Sequence, residues 1–193
     1  MPSFGAKNPY FCKIKEEPEG TLPVYEGDPV KIGRLVKADL TIQMASGKIF
    51  ADDGLAESVD EFASGSVAME TDDILDSAAS VIYGTTVDGK TVHYNTKDDP
   101  PSGGLAYYKK LMRKRKVLYK GIFHPLVKAS LGNDSASTKT DSITFGTSST
   151  NFTVFAAANG DWRITEEFDT EEEAIAWVKG RFAPASSGEQ AAG

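Results

Sequence analysis

Two periodicities divide the chain. Apolar residues at every second position mark half-buried strands: Leu40, Ile42 and Met44 alternate with Asp39, Thr41 and Gln43. The same alternation recurs at Val67 and Met69, Val92 and Tyr94, Ile143 and Phe145, Phe152 and Val154, and Trp162 and Ile164. Residues 10–15 and the pair Val30 and Ile32 suggest two strands more, and residues 48–51 another, set off from the strand at 40–44 by an Ala-Ser-Gly turn. Between residues 72 and 83 the period lengthens to three and four, through Ile74, Leu75, Ala78, Ala79 and Ile82. That spacing predicts a short amphipathic helix with Asp72 or Asp73 as N-cap and Gly84 as C-cap. A second helix follows Phe168, capped by Asp169 or Thr170, with glutamates at its positive end and Ala174, Ile175, Val178 and Phe182 on one face. Pro184 stops it.

Punctuation supplies the connections. Asp53-Gly54, Asp88-Gly89 and Asn159-Gly160 are hairpin turn signals. Residues 96–104, with two prolines and two glycines, form a loop, and so do the serine- and threonine-rich residues 132–140. Pro125, inside a strand pattern, marks an edge or a bulge. Residues 1–9 lack periodicity and are expected as an arm, residues 10–183 as one β domain, and residues 184–193 as a tail with little to bury. The sum is roughly nine or ten short strands and two helices in antiparallel hairpins. The predicted fold class is mainly β or α+β, a sandwich or partly open barrel with two packed helices and long hairpins.

Composition narrows the function classes. The 193 residues, 40% hydrophobic, suit a packed globular domain. A net charge of -7 argues against a general duplex binder, which needs a basic excess to displace phosphate counterions. No run of about 18 apolar residues predicts a membrane span, and the first residues carry no apolar signal core, so synthesis in the cytoplasm is expected. The one cysteine, Cys12, has no disulfide partner and reads as a small buried apolar residue.

Charge is distributed in two opposed blocks. Residues 52–76 hold Asp52, Asp53, Glu57, Asp60, Glu61, Glu70, Asp72, Asp73 and Asp76 with no lysine or arginine. Residues 105–130 hold Lys109, Lys110, Arg113, Lys114, Arg115, Lys116, Lys120 and Lys128 with no carboxylate, in two strands (105–112 and 117–127) joined by a tip at 113–116. Paired carboxylates invite a metal or catalytic reading, but neighbours on a strand point to opposite faces and no histidine lies near them. His93 and His124 sit in separate strands without grouped ligands, and Gly103-Gly104 precedes no helix that would present amides to a phosphate. No catalytic, cofactor or metal residue is therefore assigned, and no enzyme is expected. Trp162 and Trp177 read as core. The basic tip, with Tyr107, Tyr108 and Tyr119 nearby, admits three readings: a solvated hairpin end, a surface for single-stranded nucleic acid on a monomeric β-barrel, or a contact with the acidic stretch of an adjacent copy. Complementary surfaces on one chain give head-to-tail contacts, which close into rings or run on as filaments.

Four segments carry a resemblance. F-A-D-D-G-L-A-E at 50–57, D-G-K-T-V-H-Y-N-T-K-D-D-P-P-S-G-G-L-A-Y at 88–107, K-T-D-S-I-T-F-G-T at 139–147 and N-G-D-W-R-I-T-E-E-F-D-T-E-E-E-A-I-A-W-V at 159–178 occur in this order. With their spacers they span about residues 10–182, and the chain resembles the major tail proteins, the tail tube subunits, of long-tailed non-contractile bacteriophages. The resemblance implies stacked, hexameric rings around a channel, located in the virion, with a tape-measure protein and tail terminator and tip proteins as partners. Double-stranded DNA would pass through without specific binding, past an acidic wall that repels it. The inter-subunit contacts are expected at Asp52, Asp53, Glu57, Asp60, Glu61, Asp72 and Asp73 on one side and Lys109, Lys110, Arg113, Lys114, Arg115 and Lys116 on the other. The dense basic tip and the lack of an extra immunoglobulin-like domain after Phe182 depart from the family pattern.

Overall fold

A computed structural model describes residues 3–51, 54–134 and 146–183. The chain forms β1 (Ser3–Glu16), β2 (Val24–Tyr25), β3 (Val30–Lys31), β4 (Leu35–Ala51), β5 (Gly54–Thr71), α1 (Asp76–Tyr83), β6 (Thr86–Asp88), β7 (Thr91–His93), β8 (Ser102–Arg113), β9 (Lys116–Asp134), β10 (Ser148–Phe155), β11 (Ile164–Phe168) and α2 (Glu171–Gly180). One antiparallel sheet runs in the order β2-β1-β8-β9-β10-β5-β4, with β3 added to β1 and β11 to β9, and β6 pairs β7 apart from it. The fold is mainly β with two packed helices, the expected class.

The alternation of each strand sorts side chains into two cores. On one face Leu105, Tyr107, Ile122, Val127, Phe152, Val154, Val67 and Met69 meet Ala78, Ala79, Ile82 and Tyr83 of α1. On the other face Cys12, Ala106, Tyr108 and Phe123 meet Ala174, Trp177, Val178 and Phe182. Burial raises the Cys12 thiol pKa to about 11, as suits a packing residue. Gly121 leaves room for α2: a Cβ there would lie 2.5 Å from the Trp177 ring. Thr170 starts that helix with a capping box, its Oγ1 accepting from Glu173 N at 3.3 Å while its own N–H donates to Glu173 Oε2 at 3.2 Å. α1 ends at Gly84 in the left-handed region, as predicted.

Pro125 marks the bulge foreseen for it. Across this point two steps along β8, Gly103 to Leu105, face three along β9, Val127 to His124. There β9 also changes partner on its other edge, from β11 at residues 119–123 to β10 at residues 126–134. β10 and β11 therefore lie end to end along β9 rather than against each other. The Asn159-Gly160 signal does make a turn, with Gly160 at φ 88, yet no hairpin of those two strands.

Other expectations need correction. Residues 3–9 are not an arm: they belong to β1, paired with β8 from Ser3 opposite Leu111 onward. The register slips between Phe4 and Ala6 and between Lys7 and Tyr10, where Gly5 and Asn8 have positive φ, and those bulges erase the alternation. Residues 45–47 do not turn. Gly47 has no positive φ, so β4 continues through it and pairs β5 from Leu35 opposite Thr71 to Ala51 opposite Gly54. Leu75, without a side-chain bond, replaces Asp72 or Asp73 as the α1 N-cap residue. The strand expected at Ile143 and Phe145, most of the loop at 132–140 and the tail from Pro184 lie outside the described residues.

Candidate interaction surfaces

The basic hairpin joins β8 to β9 by a two-residue turn. Arg113 faces Lys116, and between them Lys114 (φ 49) and Arg115 (φ 66) both occupy the left-handed region. This is the type I′ pattern, whose twist matches the flanking strands but which Asn-Gly fills with less strain. Most of the surrounding cations find carboxylates in their own chain. Arg113 Nη2 lies 3.1 Å from Glu167, Lys116 Nζ 2.7 Å from Asp169, Lys120 Nζ 3.7 Å from Glu167 and Lys110 Nζ 3.6 Å from Glu171. Glu171 also receives Lys7 at 3.1 Å and the Tyr108 hydroxyl, and these bonds, Tyr108 first, hold its carboxyl below the usual range. The acidic partner of the basic hairpin is thus the stretch E-E-F-D-T-E on β11 and the start of α2. Its density right after the Asn-Gly turn was the available signal.

Register explains that pairing. β9 places Lys120 directly opposite both Lys109 of β8 and Glu167 of β11. Lys114, Arg115 and Lys109 form no ion pair among the described residues. Tyr107 and Tyr108, named with the tip as a stacking surface, are 4% and 0% exposed. The tip therefore lacks those two aromatic platforms, because alternation on β8 sends one ring into each core.

The acidic hairpin splits into structural and projecting parts. Asp72 is structural: Oδ1 accepts from the Arg34 N–H at 2.8 Å and Oδ2 from Arg34 Nε at 2.6 Å, which lowers its pKa, the backbone bond contributing most. Asp73 Oδ1 accepts from Ile74 N at 2.8 Å. Both close the turn between β5 and α1. Glu57, Asp60 and Glu61 occupy β5 opposite Ile49, Ser46 and Ala45, and Asp60 and Glu61 are exposed. Asp52 and Asp53 lie outside the described residues.

Those acids sit on an arm. β10 pairs β5 only over residues 65–71, so beyond Gly65 the β4–β5 ladder continues as two strands. From Met44 to Ala51 seven steps extend it by roughly 23 Å. Its base is held by rings: Phe62 stacks on Trp162 at 4.6 Å and 7°, Trp162 on His124 at 6.5 Å, and His124 lies 6.4 Å from Tyr107 in the core. His124 Nδ1 donates to the Trp162 carbonyl at 3.1 Å, and burial lowers its pKa to about 4. It is a packed histidine, while His93 on β7 is exposed.

The sheet ends in open margins. No described strand pairs the outer edge of β4, and on the face that packs Ala38 and Leu40 against the core, Ile42 and Met44 are 42% and 54% exposed. At the opposite margin β2 and β3 cover β1 only at residues 10–16, leaving its first part with β8 alone. The outer face of β9, β10, β5 and β4, which no helix covers, presents Ser130, Asn151, Thr153, Ser66, Thr41 and Gln43. Among the described residues no group of three His, Cys, Asp or Glu side chains is placed to hold a metal ion.

A scan against models of protein families and a search of curated proteins each return no match to the chain.

Proposed function

We propose that the protein is a structural subunit that polymerises with itself into rings and a tube, the tail tube of a long-tailed non-contractile bacteriophage virion. The observation that supports this reading is the unfinished sheet. A long, flat edge strand with exposed apolar side chains invites pairing, and proteins that stay monomeric blunt or cover such edges. Here β4 is long, no described strand pairs its outer edge, and it ends in an arm that extends beyond the last strand holding it. A margin that fits a different margin on an identical copy gives a heterologous contact, the kind that closes into a ring.

In such a ring the uncovered face of β9, β10, β5 and β4 is the channel wall. Its hydroxyl and amide side chains offer a sliding polyanion little to hold, and Lys37 and Lys128 are engaged by Asp39 and Asp99. Glu70 adds a carboxylate to this face, and Asp60 and Glu61 on the arm are placed to contact other copies. A tape-measure protein before ejection, DNA during it, and terminator and tip proteins at the ends are the partners this reading entails. Negative-stain electron microscopy of the purified full chain tests it: rings or tubes are expected. A monomer at every concentration, with salt-sensitive binding to single-stranded DNA, would replace it with a nucleic-acid module.

A further inference from the structure

The two open margins share one cleft of about 590 Å³, lined by Ala6 of β1, Leu40 and Ile42 of β4, Tyr107 and Lys109 of β8, and Arg163 just before β11. Leu40, Ile42 and Tyr107 give it apolar patches, but most of the surface it exposes is polar, and two cations stand in it without a counterion among the described residues. Arg163 forms no ion pair, and its Nε is buried with no hydrogen-bond acceptor. Lys109 forms none either, faces Lys120 across the strand pair, and has its pKa lowered by burial first and by Arg163 next. The one carboxylate on the rim, Asp39, is engaged by Lys37 at 2.5 Å. A buried guanidinium N–H without an acceptor is costly, as is a pair of like charges, and a carboxylate entering the cleft relieves both.

The arm carries a segment that fits. Val59 and Glu61 lie two residues apart on β5, so they project from one face. Val59 is 53% exposed, and the residues opposite the pair are Gly47 and Ala45, too small to screen it. We propose that the Val59–Glu61 edge of one copy's arm docks in the cleft of the next copy, Glu61 reaching Lys109 and Arg163 while Val59 lies against Ile42, Leu40 and Tyr107. This rests on the self-assembly reading and gives it a specific joint. Ile42, exposed at the mouth of the cleft, gives Val59 an apolar contact that a phosphodiester chain would leave unused.

Charge exchange tests it. In the full chain, Glu61→Lys alone and Lys109→Glu with Arg163→Glu are each expected to raise the concentration needed for assembly by about tenfold or more. The triple variant should recover assembly, and circular dichroism and gel filtration establish that each variant folds. As a second readout, Val59→Cys combined with Ile42→Cys should give a ladder of crosslinked copies when the assembled protein is oxidised, because Cys12 is buried and its thiol pKa is about 11. If wild-type protein forms tubes, yet the charge variants assemble normally or no ladder appears, the docking is wrong and the tube reading stands. If wild-type protein never assembles, both fall.

Discussion

Replacing Lys114 by Asn and Arg115 by Gly should make the protein more stable and, on the proposed self-assembly, worse at assembling. Both residues hold positive φ in the β8–β9 turn, where an L-residue with a long side chain is strained by roughly 1 kcal/mol or more. Asn tolerates that region and Gly is unstrained there, though Gly gives back about 0.5–1 kcal/mol through the greater freedom of the unfolded chain. Neither side chain makes an ion pair among the described residues, so little is lost from the fold. The net gain is about 1 kcal/mol, or roughly 2–4 °C in Tm for a chain of this size. Urea titration should show a higher midpoint with an unchanged slope. A fold that gains by losing these two residues retains them for something outside itself, so the same variant should assemble less well. A drop in stability would refute the reasoning, since the side chains would then be holding the hairpin. Higher stability with unimpaired tubes would remove the tip from the contacts.

Two further outcomes follow from the interior. His124 is neutral and buried, with a folded pKa of about 4 against about 6.5 unfolded, so its contribution is complete above pH 6.5 and lost as pH falls toward 4, by about 3 kcal/mol in total. Urea midpoints between pH 7 and 4 should fall less steeply in His124→Phe than in the native chain, and identical slopes would place the titrating group elsewhere. Gly121→Val should push against the Trp177 ring and loosen α2 from β9, costing about 1–3 kcal/mol. Tryptophan fluorescence should redden on that change, and an unchanged spectrum at native stability would contradict the close packing.

The parts legible in the sequence were those where one local signal decides. Val67 and Met69, or Phe152 and Val154, alternate because each has one buried face. Thr170 and Glu173 meet within one helical turn, Gly84 supplies a left-handed residue, and Pro125 interrupts a ladder wherever it sits. Legibility failed where the outcome depended on residues distant in the chain. Gly5 and Asn8 bulge β1, so a paired strand has the pattern of an arm. The basic tip and acidic run were matched by charge density alone, whereas β11, more than 50 residues from Arg113, takes up Arg113 and Lys120 through Glu167. The shared cleft was equally hidden. Arg163 follows an Asn-Gly turn and Lys109 lies in a cluster of lysines, and only the curl of the sheet brings them to one opening.

In the proposed assembly the charges by themselves cannot drive association. An exposed ion pair contributes about 0–1 kcal/mol, and association costs several times that in lost rotation and translation. Apolar surface must supply the difference, and it is available at the margin, in Ile42 and Met44 on β4 and Val59 on β5. The arm limits the entropic loss. A free two-stranded hairpin is marginal in water, but here the stack from Phe62 through Trp162 and His124 to Tyr107 fixes the base of the arm to the core. Its direction is set before any partner arrives, so binding need order little more than the exposed side chains. In the proposed docking, charge then chooses among the contacts the apolar margin allows: Glu61 is drawn to Lys109 and Arg163, while Lys110, Arg113, Lys116 and Lys120 are already held by carboxylates of their own chain. Apolar contact without that choice would leave the β4 edge free to pair with any strand, and the product would be aggregate instead of the proposed tube.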